Sequence, residues 1–189
     1  MTASNAAESI VQGTDEKNPA GTESGGSQYL TFVLSGETYG VDILRVQEIK
    51  GWTPVTRIPN TPDYMQGVLN LRGTIVPIVD MRMRFNLERI EYTPITVIIV
   101  LSIKSESGDR VIGLVVDSVS DVINVESENI KPTPDFGDGL NTEFINGLAT
   151  GGERMVMLLD VDKLLSVDEI QVLSDASEET EQNADKPDD

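Results

Sequence analysis

Asp160 and Asp162 stand just beyond the apolar run Met155 to Leu159, where a strand end can present carboxylate oxygens to magnesium. Asp162 is also placed to open a helix, and Asp160 has a counterpart earlier in the chain, so turn and capping roles account for both and no metal site is assigned. Ser102, Ser118 and Ser120 could act as nucleophiles only with a base beside them. The chain contains no His and no Cys. That removes the usual base near neutral pH, the usual zinc ligands and thiolate chemistry. No lysine lies near those serines in a Ser-Lys spacing, and Gly151-Gly152 lacks the Gly-Lys-Ser/Thr of a phosphate loop and reads as a hairpin turn. These residues argue against an enzyme, and they call for no cofactor.

The elements that could position anything else begin with a hairpin, Gly67 to Asp80, turned at Arg72-Gly73 and ending in a lone carboxylate. It recurs as Gly147 to Asp160, with Phe144 standing three positions upstream where the first copy has Tyr64. Gly40 to Ile49 likewise aligns without gaps on Gly113 to Val122, in the same order, so one β-rich unit is written twice. Strands with tight turns are expected at Tyr29 to Leu34, Thr38 to Ile43, Thr93 to Ile103 and Arg110 to Val116. For Leu44 to Trp52 a bulged strand and a single helical turn both fit the spacing. Thr53 to Pro62 must be an extended connector, followed by a short helix at Asp63 to Gln66. Pro77 cannot donate to a ladder, which places it on an edge or at a bulge. Met81 to Phe85 reads as a brief helical turn, and Asp162 to Leu173 as a closing helix with Leu164, Leu165, Ile170 and Leu173 on one face. About ten short strands in two like sets imply a mainly β chain closed into two small barrels.

Of the 189 residues 39% are hydrophobic, enough for a core. Asp and Glu number 32 against 14 Lys and Arg, a formal charge of −18 that repels phosphate backbones and anionic lipid surfaces. Residues 1–27 and the acidic stretch 174–189 read as disordered tails around a folded body at 28–173. The N-terminus lacks the basic start and apolar core of a secretory signal, and the apolar run from Ile95 to Ile103 is about half a membrane span. The expectation is a soluble cytoplasmic protein.

What remains is Glu48 beside Val46, and Arg72 at a hairpin tip, on a body suited to binding other proteins. The segments Tyr39 to Ile49, Val55 to Pro62, Gly67 to Asp80 and Gly113 to Val122 resemble the CheW family of bacterial chemotaxis coupling proteins, and the similarity runs from about Gln28 to Leu173. The resemblance implies two five-stranded SH3-like barrels sharing a core. It implies a non-catalytic adaptor that links the cytoplasmic tip of chemoreceptors to the regulatory domain of the CheA histidine kinase within membrane-associated arrays, and a monomer when isolated. Receptor-contact positions of the family fall on Val46, Glu48, Gly67, Arg72, Gly73, Gly113 and Val122. The kinase-facing segment falls on Ile130 to Phe136, with Lys131 and Phe136 as its contacts, and Lys131 stands where Arg is usual. A scaffold of SH3-like barrels unrelated to receptors is the alternative reading.

Overall fold

Short runs of alternating apolar and polar residues, cut by Gly and Pro, build strands here in preference to helices. The computed structural model describes residues 25–106, 108–135, 142–166, 168–172 and 175. Its strands are β1 (Gly26–Leu34), β2 (Glu37–Asp42), β3 (Val46–Gly51), β4 (Met65–Leu71), β5 (Thr74–Asp80), β6 (Val97–Ser105), β7 (Gly108–Val116), β8 (Ser118–Glu126), β9 (Ile145–Gly151) and β10 (Arg154–Leu159), and a short helix, α1 (Met81–Arg84), follows β5. They form two five-stranded sheets in the orders β8-β1-β2-β10-β9 and β3-β6-β7-β5-β4. The architecture is mainly β, in two units of the SH3-like barrel kind.

The two halves of the chain are not the two sheets. Strands β1 to β5 correspond under the repeat to β6 to β10, and each sheet takes two strands from one copy and three from the other. The chain changes sheet where hairpin turns are missing: a 3-10 turn, Ile43–Arg45, carries it from β2 to β3, and Asp117 alone joins β7 to β8. Pseudo-symmetry then holds rung by rung. Leu158 lies opposite Gly40 in the parallel pair of β10 with β2, as Ile78 lies opposite Gly113 in that of β5 with β7. Thr56 bridges Val68 as Lys131 bridges Leu148, and Asp80 donates to Tyr64 as Asp160 does to Phe144, at 2.7 and 2.8 Å.

Burial follows the same plan. Tyr29, Val125, Ala149, Val156 and Leu158 fill one barrel, and Val76, Ile78, Ile98, Val100 and Val115 fill the other. Between the sheets a larger shared core gathers Leu30, Phe32, Leu34 and Val41 with Ile99, Leu101, Leu114 and Val116, and each such side chain contributes about 1.5–3 kcal/mol on burial. Phe32, Tyr39, Phe85 and Phe144 run through it with successive ring centroids 5.8, 5.7 and 4.7 Å apart.

Several local expectations need correction. Residues 63 and 64 form a turn, and Met65 and Gln66, both buried, open β4 instead of continuing a short helix. Pro77 sits in an interior strand. Val68, its partner across β4, spends both backbone groups on Thr56, and the parallel ladder to β7 starts one residue later at Ile78, so the missing N–H falls where the ladder begins. The closing helix is broken: a 3-10 turn spans Val161–Lys163, and residues 168–172 are helical after a capping box in which Ser166 N donates to Glu169 and Glu169 N to the Ser166 hydroxyl. Leu164, Leu165 and Ile170 are buried as anticipated; Leu173 lies outside the described residues. For Leu44 to Trp52 both readings hold in succession, the 3-10 turn and then a strand bulged between Val46 and Glu48.

Candidate protein-interaction surface

Arg72 and Gly73 form the two-residue turn between β4 and β5, at φ 53° and 90°, the left-handed pair of a tight hairpin turn. Asn70 Oδ1 accepts the Gly73 N–H at 2.8 Å and fixes it. A left-handed conformation costs a residue with a Cβ about 1–2 kcal/mol, and the equivalent position in the second copy is Gly152, also at positive φ. Arg72 therefore occupies a site that backbone geometry would give to Gly or Asn. Its side chain is 83% exposed and meets Glu48 at 2.5 Å. Glu48 comes from β3, at the far edge of the same sheet, and is aimed by the bulge after Val46. The ion pair thus spans the mouth of the curled sheet, above a groove of about 190 Å³ lined by Gln47, Leu71, Thr74, Val76, Val100 and Val111.

The remaining candidates divide. Val46 is half-buried against the shared core. Gly67 and Gly113, expected to allow close approach by a partner, are buried, and what approaches them is this chain. A Cβ on Gly67 would lie 2.1 Å from Thr56 O, and one on Gly113 would lie 2.5 Å from Ile78 Cδ1. Val122 is 49% exposed, but on β8 of the other sheet, away from Glu48 and Arg72. Lys131 is exposed on a segment laid along edge strand β9, its backbone paired with Leu148 and Thr133 Oγ1 bonded to Ile145 O. Phe136 lies outside the described residues.

The acidic candidates are absorbed by structure. Asp160 accepts the Asp162 N–H, while Asp162 takes a bidentate Arg45 and the Lys104 N–H. Buried Asp80 accepts the Arg82 and Met83 N–H groups and the Tyr92 hydroxyl. Among the described residues no group of acidic side chains is arranged to hold a metal, and none of their helices is long and apolar enough to cross a membrane.

Residues 28–169 match the CheW-like domain. The chain belongs to this family. The chemotaxis protein CheW of Klebsiella aerogenes is 48% identical to this CheW-like chain over 155 residues, covering 82% of this chain and 91% of its own length. That of Rhizobium meliloti is 39% identical over 146 residues, covering 77% and 92%. The crystal structure of the scaffolding protein TtCheW from Thermoanaerobacter tengcongensis superposes with a TM-score of 0.68 at 30% identity, over 76% of this chain and 95% of that one. The CheW-like chain is accordingly a non-catalytic adaptor of chemotaxis signal transduction.

One surface residue escaped the sequence reading. Ile49, 43% exposed on β3 and on the opposite face of the strand from Glu48, is the repeat counterpart of Val122. The alignment of Gly40 to Ile49 on Gly113 to Val122 contains that equivalence and could have supplied it.

Proposed function

We propose that this chain joins the cytoplasmic tip of a chemoreceptor to the regulatory domain of a CheA-type histidine kinase, working at membrane-associated receptor arrays from the cytoplasm. The receptor meets the face carrying Glu48 and Arg72, and the kinase meets the segment from Ile130 to Phe136 through Lys131 and Phe136. The observation that carries this reading is Arg72, exposed at a hairpin tip in a backbone conformation that disfavours it and oriented by Glu48. A guanidinium held open in that way is preorganised for a partner's polar groups. Its placement on one sheet, with Lys131 along the edge of the other, supports simultaneous engagement of two partners. Gly67 and Gly113 act in this scheme by shaping the barrel beneath the surface.

The test is autophosphorylation of the cognate kinase with a receptor signalling fragment, with and without the full chain. Attractant-sensitive stimulation that requires the chain, and is lost in Arg72→Ala while kinase binding persists, is the expected result. An unchanged rate together with no kinase binding would discard the coupling role in favour of a barrel scaffold with other partners.

A further inference from the structure

In a chain of charge −18, cations left without ion pairs and gathered in a concavity are informative. Arg57 and Arg89 line one of about 300 Å³ together with Ile58, Thr61, Pro62, Asp63, Met65 and Met83. Both arginines are exposed, and among the described residues neither forms an ion pair. They come from separate segments, the connector before β4 and the loop after α1, yet both fields reach the Tyr92 hydroxyl. There they offset part of the rise in its pKa caused by burial and by its bond to Asp80. Asp63 is the one carboxylate on the lining, so the concavity keeps a net positive charge within an acidic protein.

The C-terminal end of the described body is anchored beside it. Glu169 accepts the Tyr64 hydroxyl and lies 3.6 Å from Arg84, and Arg84 Nε donates to Leu164 O at 3.0 Å. Tyr64 stands between Asp63 and Met65, and Arg84 follows Met83, all three of them on the lining. Glu169 thus sits one residue from the lining, while Ile170 and Gln171 after it face Lys104 and Glu106, so the tail starts within its own reach of the concavity. Residues 176–189 carry Glu178, Glu179, Glu181, Asp185, Asp188 and Asp189 against Lys186 alone. At about 3.3–3.6 Å per extended residue they can reach roughly 45 Å. The N-terminal segment is worse placed, since β1 begins at Gly26 against Glu126 in the opposite sheet.

We propose that the acidic C-terminal segment, residues 176–189, docks on the Arg57–Arg89 concavity of its own chain. Charge-assisted bonds from the two guanidiniums to Glu178, Glu179 or Glu181 would hold it. Such a cover is reversible, and it makes this face available to an acidic partner only by competition with the tail. The absence of native cysteine allows a single spin label at Ser177→Cys in the full chain. Paramagnetic broadening of backbone amides then reports where the tail lies. The expected result at low salt is loss of most of the signal at Arg57, Thr61, Met83 and Arg89. That signal should return in the Arg57→Glu/Arg89→Glu variant, and near 1 M salt, where the screening length falls to about 3 Å. The remaining amide shifts of the variant serve as the check on its fold. Intact signal at these four residues at low salt, or broadening that survives charge reversal, would overturn the proposal. So would broadening that appears mainly when labelled and unlabelled chains are mixed, because the contact would then run between molecules.

Discussion

Gly67→Ala separates a partner contact from a packing role, because the structure fixes what the added methyl meets. At φ 144° the backbone is in a region open essentially to glycine alone, and forcing a Cβ into such a region costs about 1–3 kcal/mol. The new atom would stand 2.1 Å from Thr56 O and 2.7 Å from its carbonyl carbon. Those are backbone atoms, so relief comes only by moving the 56 segment off β4. That breaks the Thr56–Val68 pair, whose bonds are 3.0 and 2.8 Å long, at about 1 kcal/mol each. The sum is about 3–5 kcal/mol, a large part of the roughly 5–15 kcal/mol by which a domain is stable. Urea unfolding followed by Trp52 fluorescence should show a midpoint lowered by about 2 M at an unchanged slope near 2 kcal/mol per M. Receptor binding should fall only as far as the folded fraction does. A variant within about 1 kcal/mol of the parent that has nonetheless lost receptor binding would refute this reasoning and make Gly67 a contact residue.

Three other perturbations test the neighbouring steps. Arg72→Asn relieves a left-handed backbone at the cost of an exposed ion pair worth about 0–1 kcal/mol, so urea unfolding should show equal or slightly higher stability while kinase stimulation is lost. Gly113→Ala drives a methyl against Ile78 Cδ1 and against Ile98 Cγ2, 2.9 Å away, an overpacking cost of about 1–3 kcal/mol; Ile78→Val in the same chain should restore much of the lost midpoint. For Asp117, burial raises the pKa, but hydrogen bonds from Arg82 and from the Ser35 N–H outweigh it and the net shift is downward. Its contribution is therefore fully present above the unfolded value of about 3.9 and disappears as pH falls through the lower folded value. The stability gap between the parent and Asp117→Asn, measured by urea titration at successive pH values, should narrow only below about pH 4.

Strand positions, hairpin turns and the repeat were legible because each is local: alternation, Gly and Asn at turns, and a pattern that recurs. The exchange of strands between copies was not. Alternation tells a strand which face is buried but not which neighbour it pairs with, and β2 would present the same face to β5 as it does to β10. The helix expected at Asp63 to Gln66 failed because the proline before it marks a turn as readily as a helix start, and Met65 and Gln66 are buried as strand residues. The true start of the closing helix was written as Ser166-Val-Asp-Glu169, a capping box. Asp162, expected to open that helix, lies within the 3-10 turn before it. Of the proposed interaction surface, Glu48 and Arg72 were legible as a polar pair and do meet. Gly67 and Gly113 were marked for the surface, though tertiary packing places them beneath it.

The exchange itself carries a charge code at the two crossings. Arg82, just after β5, makes a bidentate pair with Asp117 at the end of β7, the strand parallel to β5. Asp162, just after β10, makes a bidentate pair with Arg45 beyond β2, one position past the residue that the repeat aligns with Asp117. The two pairs lie at corresponding crossings and their signs are reversed. Had each copy folded on itself, β5 would lie along β2 and β10 along β7, setting Arg82 against Arg45 and Asp162 against Asp117. Both contacts would bring like charges together in sites where the observed side chains are 13–27% exposed, a repulsion that works against the competitor. Arg82→Asp/Asp117→Arg tests the idea, since it preserves an opposite-charge pair at that crossing while making both contacts of the competitor attractive. Equilibrium stability should fall by about 1–3 kcal/mol, because the swap also removes the acceptor of the Ser35 N–H and the donor to Glu88 O. Refolding from urea should become slower and multiphasic as wrongly paired chains accumulate. Refolding as fast and as uniform as the parent's would show that the crossings are chosen by packing alone.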